Sequence, residues 1–251
     1  MERPILYLLV ATALLAGAGR SSPAQSAGDG YLFHRPNVTV SVRGGYSRAD
    51  ARSDVFDEVT SNLTLDHGDF SGLTFGGDVA LHLTPRFDLL FAGSFSRATH
   101  KSEFRDFVDN NDQPIEQTTT FERMPLTANL RINFGSSGRS IGNFAWIPNR
   151  VVPYVGAGVG AMRYRFKQEG DFVNFANNAV FSSVLDSGIN QKWTVVGQGI
   201  AGVDYYFSPE FGLSLDARYL HARGDLGPSW KGYDRIDLSG VTATVGLSFR
   251  H

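Results

Sequence analysis

The sequence predicts an all-β fold, an eight-stranded antiparallel up-and-down transmembrane β-barrel, and three observations carry that prediction. Large apolar residues alternate with small or polar ones over stretches of about a dozen residues, most cleanly in Val241-Thr242-Ala243-Thr244-Val245-Gly246-Leu247-Ser248-Phe249. A two-residue period of this kind marks a strand with one apolar and one polar face. The pattern recurs eight times from Val38 onward, and an even strand number is what closed single-chain bacterial barrels require. Beyond the N-terminus no stretch reaches the ~18 consecutive apolar residues of a membrane-spanning helix, so a chain crossing a membrane must do so as closed strands.

The chain begins with an apolar run, Ile5 to Ala18, too short to span and sized for a signal-peptide core. Ser22-Pro23-Ala24 ahead of Gln25 supplies the small residues a signal peptidase reads. Residues 1–24 are therefore expected to be a signal peptide, 25–37 an N-terminal periplasmic segment and 38–249 the barrel domain. Strands are expected at 38–48, 70–83, 86–98, 120–134, 151–166, 191–207, 210–222 and 237–249. In the third, Phe87, Leu89, Phe91, Gly93 and Phe95 share a face suited to lipid, as do Phe211, Leu213, Leu215, Ala217 and Tyr219 in the seventh. The fifth, rich in glycine from Gly156 to Gly160, fits two registers. Arg163 and Arg165 favour the lumen, a choice that sets Tyr154, Met162, Tyr164 and Phe166 outward.

Connections alternate in length. Thr84-Pro85 and Ser208-Pro209 are tight breaks, whereas 49–69, 99–119, 167–190 and 223–236 are long and polar. Short turns face the periplasm and long loops the outside in such barrels. The outer loops carry −5, −3, −2 and +1, a net charge of −9. The 135–150 connection is long yet falls on the periplasmic side, and its Phe144, Ala145, Trp146 and Ile147 suit a segment resting against the barrel end.

Composition narrows the function classes. With a net charge of −2 there is no basic excess for nucleic acid, and with no cysteine there are no disulfides, thiol nucleophiles or thiolate metal sites. His34, His67 and His82 lack metal-ligand spacing, so neither a metal nor a cofactor is expected.

Periodicity alone fits a soluble barrel with the faces reversed, but the polar faces are mostly small residues, as a crowded lumen requires, rather than the lysines and glutamates of a solvated exterior. Charged or ionisable residues on those faces, Arg43, Asp78, His82, Asp88, Arg131, Asp204, Asp216 and Arg218, are expected to form an acid–arginine network inside the barrel, because a lone charge there costs several kcal/mol. Phe87, Phe95, Trp193, Phe207 and Phe249 sit near strand ends, where membrane-interface aromatic girdles form.

Pro153-Tyr154-Val155-Gly156-Ala157-Gly158-Val159-Gly160, Ala201-Gly202-Val203-Asp204-Tyr205-Tyr206-Phe207 and Leu213-Ser214-Leu215-Asp216-Ala217-Arg218-Tyr219 resemble the OmpA-like outer-membrane β-barrel superfamily, over most of the mature sequence. The resemblance implies the bacterial outer membrane, contact with outer-membrane lipid and lipopolysaccharide, and help from the barrel-insertion machinery and periplasmic chaperones during assembly. The last strand is similar to the assembly signal, with Phe249 as its aromatic, although Arg250 and His251 follow it. The superfamily spans anchors, adhesins, OmpW-type channels and lipid A enzymes, and fold analogy does not choose among them.

Motifs for chemistry are weak. Gly197-Gln198-Gly199-Ile200-Ala201-Gly202 has dinucleotide-binding spacing but is followed by a strand, not a helix. His221-Ala222-Arg223 is similar to the His-x-Ser pair of PagL-type lipid A deacylases with arginine in the serine position, and His100-Lys101-Ser102 has no evident orienting acid. Arg223-Gly224-Asp225 is an integrin-type tripeptide expected in a turn. The expected role is thus non-enzymatic, either structural or surface-binding through acidic loops. A narrow channel for small or hydrophobic solutes is the alternative, and a lipid A-modifying enzyme comes third.

Overall fold

Eight long strands pair in one closed antiparallel ladder in the computed structural model, which describes residues 30–109, 112–141, 145–174, 179–187 and 193–251. They are β1 (Val38–Ala49), β2 (Gly72–His82), β3 (Phe87–Val108), β4 (Pro114–Asn133), β7 (Val151–Asn174), β9 (Trp193–Tyr206), β10 (Phe211–Gly224) and β12 (Gly240–Arg250). Each pairs with the next, and β12 returns to β1 with Val40 opposite Phe249 and Tyr46 opposite Ala243. All eight expected strands are present. Closure leaves these strands without a free edge through the membrane. The expected signal peptide lies outside the described residues.

Two outer connections differ from the expected loops. β3 and β4 continue as a hairpin to Val108 and back from Pro114, and β7 runs on to Asn174 to pair with β8 (Ala179–Asp186). The β-branched and aromatic content of these segments, such as Thr118-Thr119-Thr120-Phe121, keeps the ladder running above the membrane despite their polarity. The 49–69 connection holds a short helix, α1 (Asp54–Asn62), then a 3-10 turn at His67–Phe70. The last connection contains a 3-10 turn at Pro228–Trp230 and the short β11 (Ile236–Asp237). At the opposite end β5 (Gly138–Ile141) and β6 (Ala145–Pro148) form a small hairpin whose Trp146 bridges to Leu32.

Outward positions between the two ends are uncharged on every strand. β1 presents Val40, Val42 and Tyr46, β3 presents Phe87, Phe91 and Phe95, and β12 presents Val241, Val245, Leu247 and Phe249. This apolar belt is the lipid-facing surface. Strand β7 corrects the expected register. Tyr154, Met162, Tyr164 and Phe166 point inward, Met162 and Phe166 at 0 % exposure, whereas Val159 is 67 % exposed. The arginines that argued otherwise stand above the belt, where an outward guanidinium meets water and headgroups rather than hydrocarbon. Arg165 there holds Asp186 at 2.6 Å.

Candidate functional site: a filled lumen under an apolar cap

The structure brings all eight ionisable residues expected on the polar faces into the lumen, where they form two groups. Near the middle, Arg43 on β1 is ion-paired with Asp78 on β2 and lies 3.8 Å from Asp216 on β10. Arg218 reaches across to Asp78 at 2.8 Å and binds Asp216 at 2.7 Å, and Thr244 donates to Asp216 at 3.0 Å. Nearer the periplasm, Arg131 bridges Asp88 at 2.8 Å and Asp204 at 3.0 Å. Asp88 also accepts from Asn133 at 2.9 Å and faces His82 Nδ1 at 2.6 Å, while the other His82 nitrogen meets the Thr39 hydroxyl at 2.8 Å. Tyr154 joins the groups: its ring lies under the Arg131 guanidinium at 4.6 Å, and its hydroxyl is 3.5 Å from Asp216.

Two arginines of the interior were not anticipated. Arg250, after the expected end of the last strand, turns into the lumen and stacks on Tyr206, with Trp146 of the periplasmic hairpin 5.3 Å away. Arg123, 2 % exposed, donates to the Leu238 and Ser239 carbonyls and to the Ser47 hydroxyl. Both obey the alternation, Arg250 two residues past Ser248 and Arg123 in phase with Thr127 and Arg131, so parity alone could have found them. With Arg250 included, four guanidiniums (Arg43, Arg131, Arg218, Arg250) face four carboxylates (Asp78, Asp88, Asp204, Asp216). These two groups are therefore charge-balanced, while Arg123 stands above them, nearer the outer mouth, on backbone carbonyls. Among these side chains one cavity of about 10 Å³, bordered by Arg43, Gly76, Ser94, Gln198, Arg218 and Thr244, is large enough for a single water.

Above the charges the outer mouth is closed by an apolar cluster. Phe56 of α1 packs edge-on against Phe70 at 4.6 Å and against Phe121 and Phe166 at 5.5 Å each. Trp230 adds to Phe166 at 5.2 Å, and Val55, Leu63, Met162, Val196, Ile236 and Leu238 complete the cluster. α1 lies across the mouth because its buried positions, Val55, Phe56 and Val59, fall on one helical face, with acidic residues on the other. Asp234 N–H donates to Asp54 at 2.8 Å, tying the last outer loop to the first. Burial, then the Glu58 and Asp54 carboxylates, raise the pKa of the Tyr233 hydroxyl in this cap.

The aromatics expected in girdles, Phe87, Phe95, Trp193, Phe207 and Phe249, all lie exposed on the outer surface. Phe87, Phe207 and Phe249 are at the periplasmic strand ends, Trp193 at the outer end of β9, and Phe95 beside Phe75 within the belt. The glycines with dinucleotide-binding spacing lie in the middle of β9. Arg223 and Gly224 belong to a strand pair with β11, not to a turn. Ser102 is buried with its hydroxyl on the Gln117 carbonyl. One serine–histidine contact exists among the described residues, Ser239 Oγ to His221 Nδ1 at 3.3 Å. Its serine is 2 % exposed and shares its hydroxyl with Ala222 backbone, and among the described residues no carboxylate pairs with the ring. Among the described residues no group of histidines and acids could hold a metal ion.

Residues 11–249 match the family profile described as the outer membrane protein beta-barrel domain. The chain belongs to this family. It resides in the bacterial outer membrane, as the family's barrels do. Solved outer-membrane barrels are similar to it. OprG from Pseudomonas aeruginosa is 12 % identical with a TM-score of 0.50, over 88 % of this chain and 99 % of that one. Neisserial surface protein A is 13 % identical at 0.44, over 89 % and 98 %. The N-terminal barrel domain of OprF from Pseudomonas aeruginosa is 14 % identical at 0.37, over 86 % and 98 %. At 12 % identity the likeness to OprG speaks for architecture alone. No curated protein matches the sequence.

Proposed function

We propose that this outer-membrane barrel is a non-conducting, non-catalytic envelope protein whose working surface is its acidic outer cap. The observation that carries the reading is the double closure of the bore: a charge-balanced lattice of arginines and aspartates at membrane depth, beneath an apolar seal formed by α1 and Trp230. Neither layer suits a solute path. The lattice holds Arg43, Arg131 and Arg218 in multivalent pairs, and expelling any one partner leaves a buried charge uncompensated at about 3–5 kcal/mol. The cap spends nearly all its apolar side chains on itself, leaving acids such as Asp57, Glu58 and Asp69 on its solvent side. Surface binding to cationic partners follows from that charge.

The test is conductance of the refolded chain in a planar bilayer. Wild-type protein and the Phe56→Ala variant should both leave the membrane silent, because the lattice remains when the seal is weakened. Discrete openings of wild type that shift in Arg131→Ala and Asp216→Ala would overturn the reading in favour of a channel. A salt-sensitive association of a polylysine peptide with the protein in nanodiscs is the matching expectation for the cap.

A further inference from the structure

We propose that the outer rim of the barrel carries a binding site for the phosphate group of an outer-leaflet lipid, formed by Arg163, Arg223 and Arg235 around Trp193. The ladder sets these groups side by side: Arg163 on β7 stands opposite Trp193 on β9, and β10 follows with Arg223. The Thr194 hydroxyl donates to the Arg223 carbonyl at 2.6 Å, and Arg235 Nη2 donates to the same carbonyl at 3.1 Å, so Arg235 is held beside Arg223. Arg163 and Arg223 lie two strands apart, and Arg223, one residue beyond the Ala222–Val196 pair, is offset by two residues from Trp193, so strands spaced by ~4.8 Å and rising ~3.3 Å per residue set the two arginines about 12 Å apart.

Depth identifies the ligand. Below Arg163 and Trp193 the outward residues of β7 and β9 are uncharged, Val159, Ala161, Val195 and Gly197 among them, with Val195 77 % exposed. On β10 His221 marks the boundary above Tyr219. The arginines therefore project sideways where hydrocarbon gives way to headgroups, the level at which an exposed tryptophan such as Trp193 settles. A soluble polyanion approaching from above would first meet loops with a net charge of −9, whereas a lipid arrives laterally. Guanidinium matches phosphate oxygens two at a time, which an ammonium does not.

Elsewhere on the rim Arg48 stands singly, opposite Val241 on β12, and two other arginines are already paired. Arg97 is answered by Glu122 at 3.4 Å and Arg165 by Asp186 at 2.6 Å. Arg163 and Arg223 have no carboxylate within ion-pair distance among the described residues, and Arg235 has only Asp225 at 3.3 Å, with both side chains more than half exposed. An exposed pair of that kind contributes little and exchanges readily for a stronger anion. Gly197 and Gly199, with open space outside them, leave room beneath the row for an acyl chain.

This inference is independent of whether the bore conducts. Its test is lipid retention by the full refolded chain in detergent, followed by native mass spectrometry. The probes are bisphosphorylated lipid A, the same lipid after enzymatic removal of its phosphates, and inorganic phosphate. Wild type should hold the phosphorylated lipid at least about tenfold more tightly than the dephosphorylated form, and Arg163→Gln/Arg223→Gln should lose about tenfold or more, the order of a charge-assisted hydrogen bond. Arg86→Gln/Arg150→Gln, an equal charge change at the periplasmic end, should lose nothing. Equal retention of both lipids by wild type, or equal loss in both double variants, overturns the site. Displacement of the lipid by millimolar inorganic phosphate reassigns the arginines to a free anion and overturns the lipid assignment. Heat-modifiable gel mobility verifies folding, and if the first double variant fails to fold the wild-type comparison decides alone.

Discussion

Phe56→Ala probes whether the cap is a separate layer laid over a finished barrel. Phe56 is fully buried and meets three aromatic rings edge-on, Phe70, Phe121 and Phe166. Truncating a buried phenylalanine costs about 3–5 kcal/mol, and the edge contacts place this site toward the upper part of that range. The loss falls on one side of a boundary, because α1 is attached through this face while the barrel ladder beneath it is complete without it. The free energy of lifting α1 should drop by about 3 kcal/mol or more, accelerating amide exchange across residues 55–62 by roughly a hundredfold or more. Hydrogen-exchange mass spectrometry of the refolded protein reads this directly, with peptides from β1 and β12 as internal references. Exchange of α1 within about threefold of wild type would refute the packing argument. Parallel acceleration of β1 and β12 would refute the separation into layers.

Arg131→Ala strands Asp88 and Asp204 together, and urea unfolding should register a loss of about 3–5 kcal/mol, with Arg131→Lys intermediate because one ammonium cannot serve both carboxylates with the same geometry. At Gly160 an added Cβ would collide with the Leu126 carbonyl oxygen, whereas at Gly199 it meets open space. Gly160→Ala should therefore sharply lower the refolding yield judged by heat-modifiable mobility while Gly199→Ala leaves it unchanged. Val42, 63 % exposed near the middle of the apolar belt, should cost about 2–4 kcal/mol when replaced by arginine, measured as the shift in unfolding free energy in lipid vesicles.

Alternation made the barrel legible because a membrane enforces it on both sides. Lipid excludes charge from one face and a narrow bore excludes unpaired charge from the other, so Asp78, Asp204 and Asp216 announce their direction in the bare sequence. The same logic misplaced β7, since Arg163 and Arg165 follow the rule only within hydrocarbon, and the strand continues past it to Asn174. Outside the membrane the alternation loses its force. The β3–β4 and β7–β8 extensions carry polar residues on both faces and read as loops. The apolar seal was hidden for another reason: its members come from the first outer connection with α1, five barrel strands and the last outer connection, and no local pattern in any one of them foretells that they meet.

The lattice in the bore also bears on how the chain enters the membrane. Arg43 belongs to the first strand and Asp216 and Arg218 to the seventh, with Asp78 of the second strand reached from both sides. While β1 and β12 remain apart, the sheet is open and these charges are divided between its two margins. A half-inserted sheet would expose Arg43–Asp78 at one margin and Arg218–Asp216 at the other as partial pairs, without the Arg218–Asp78 and Arg43–Asp216 contacts that cross the seam, at a penalty of desolvation. Sealing β1 to β12 removes that penalty in one step. The ion pairs thus favour assembly intermediates that keep their polar face in water until the ends meet, and they make completion of the circle the event that commits the protein to the membrane.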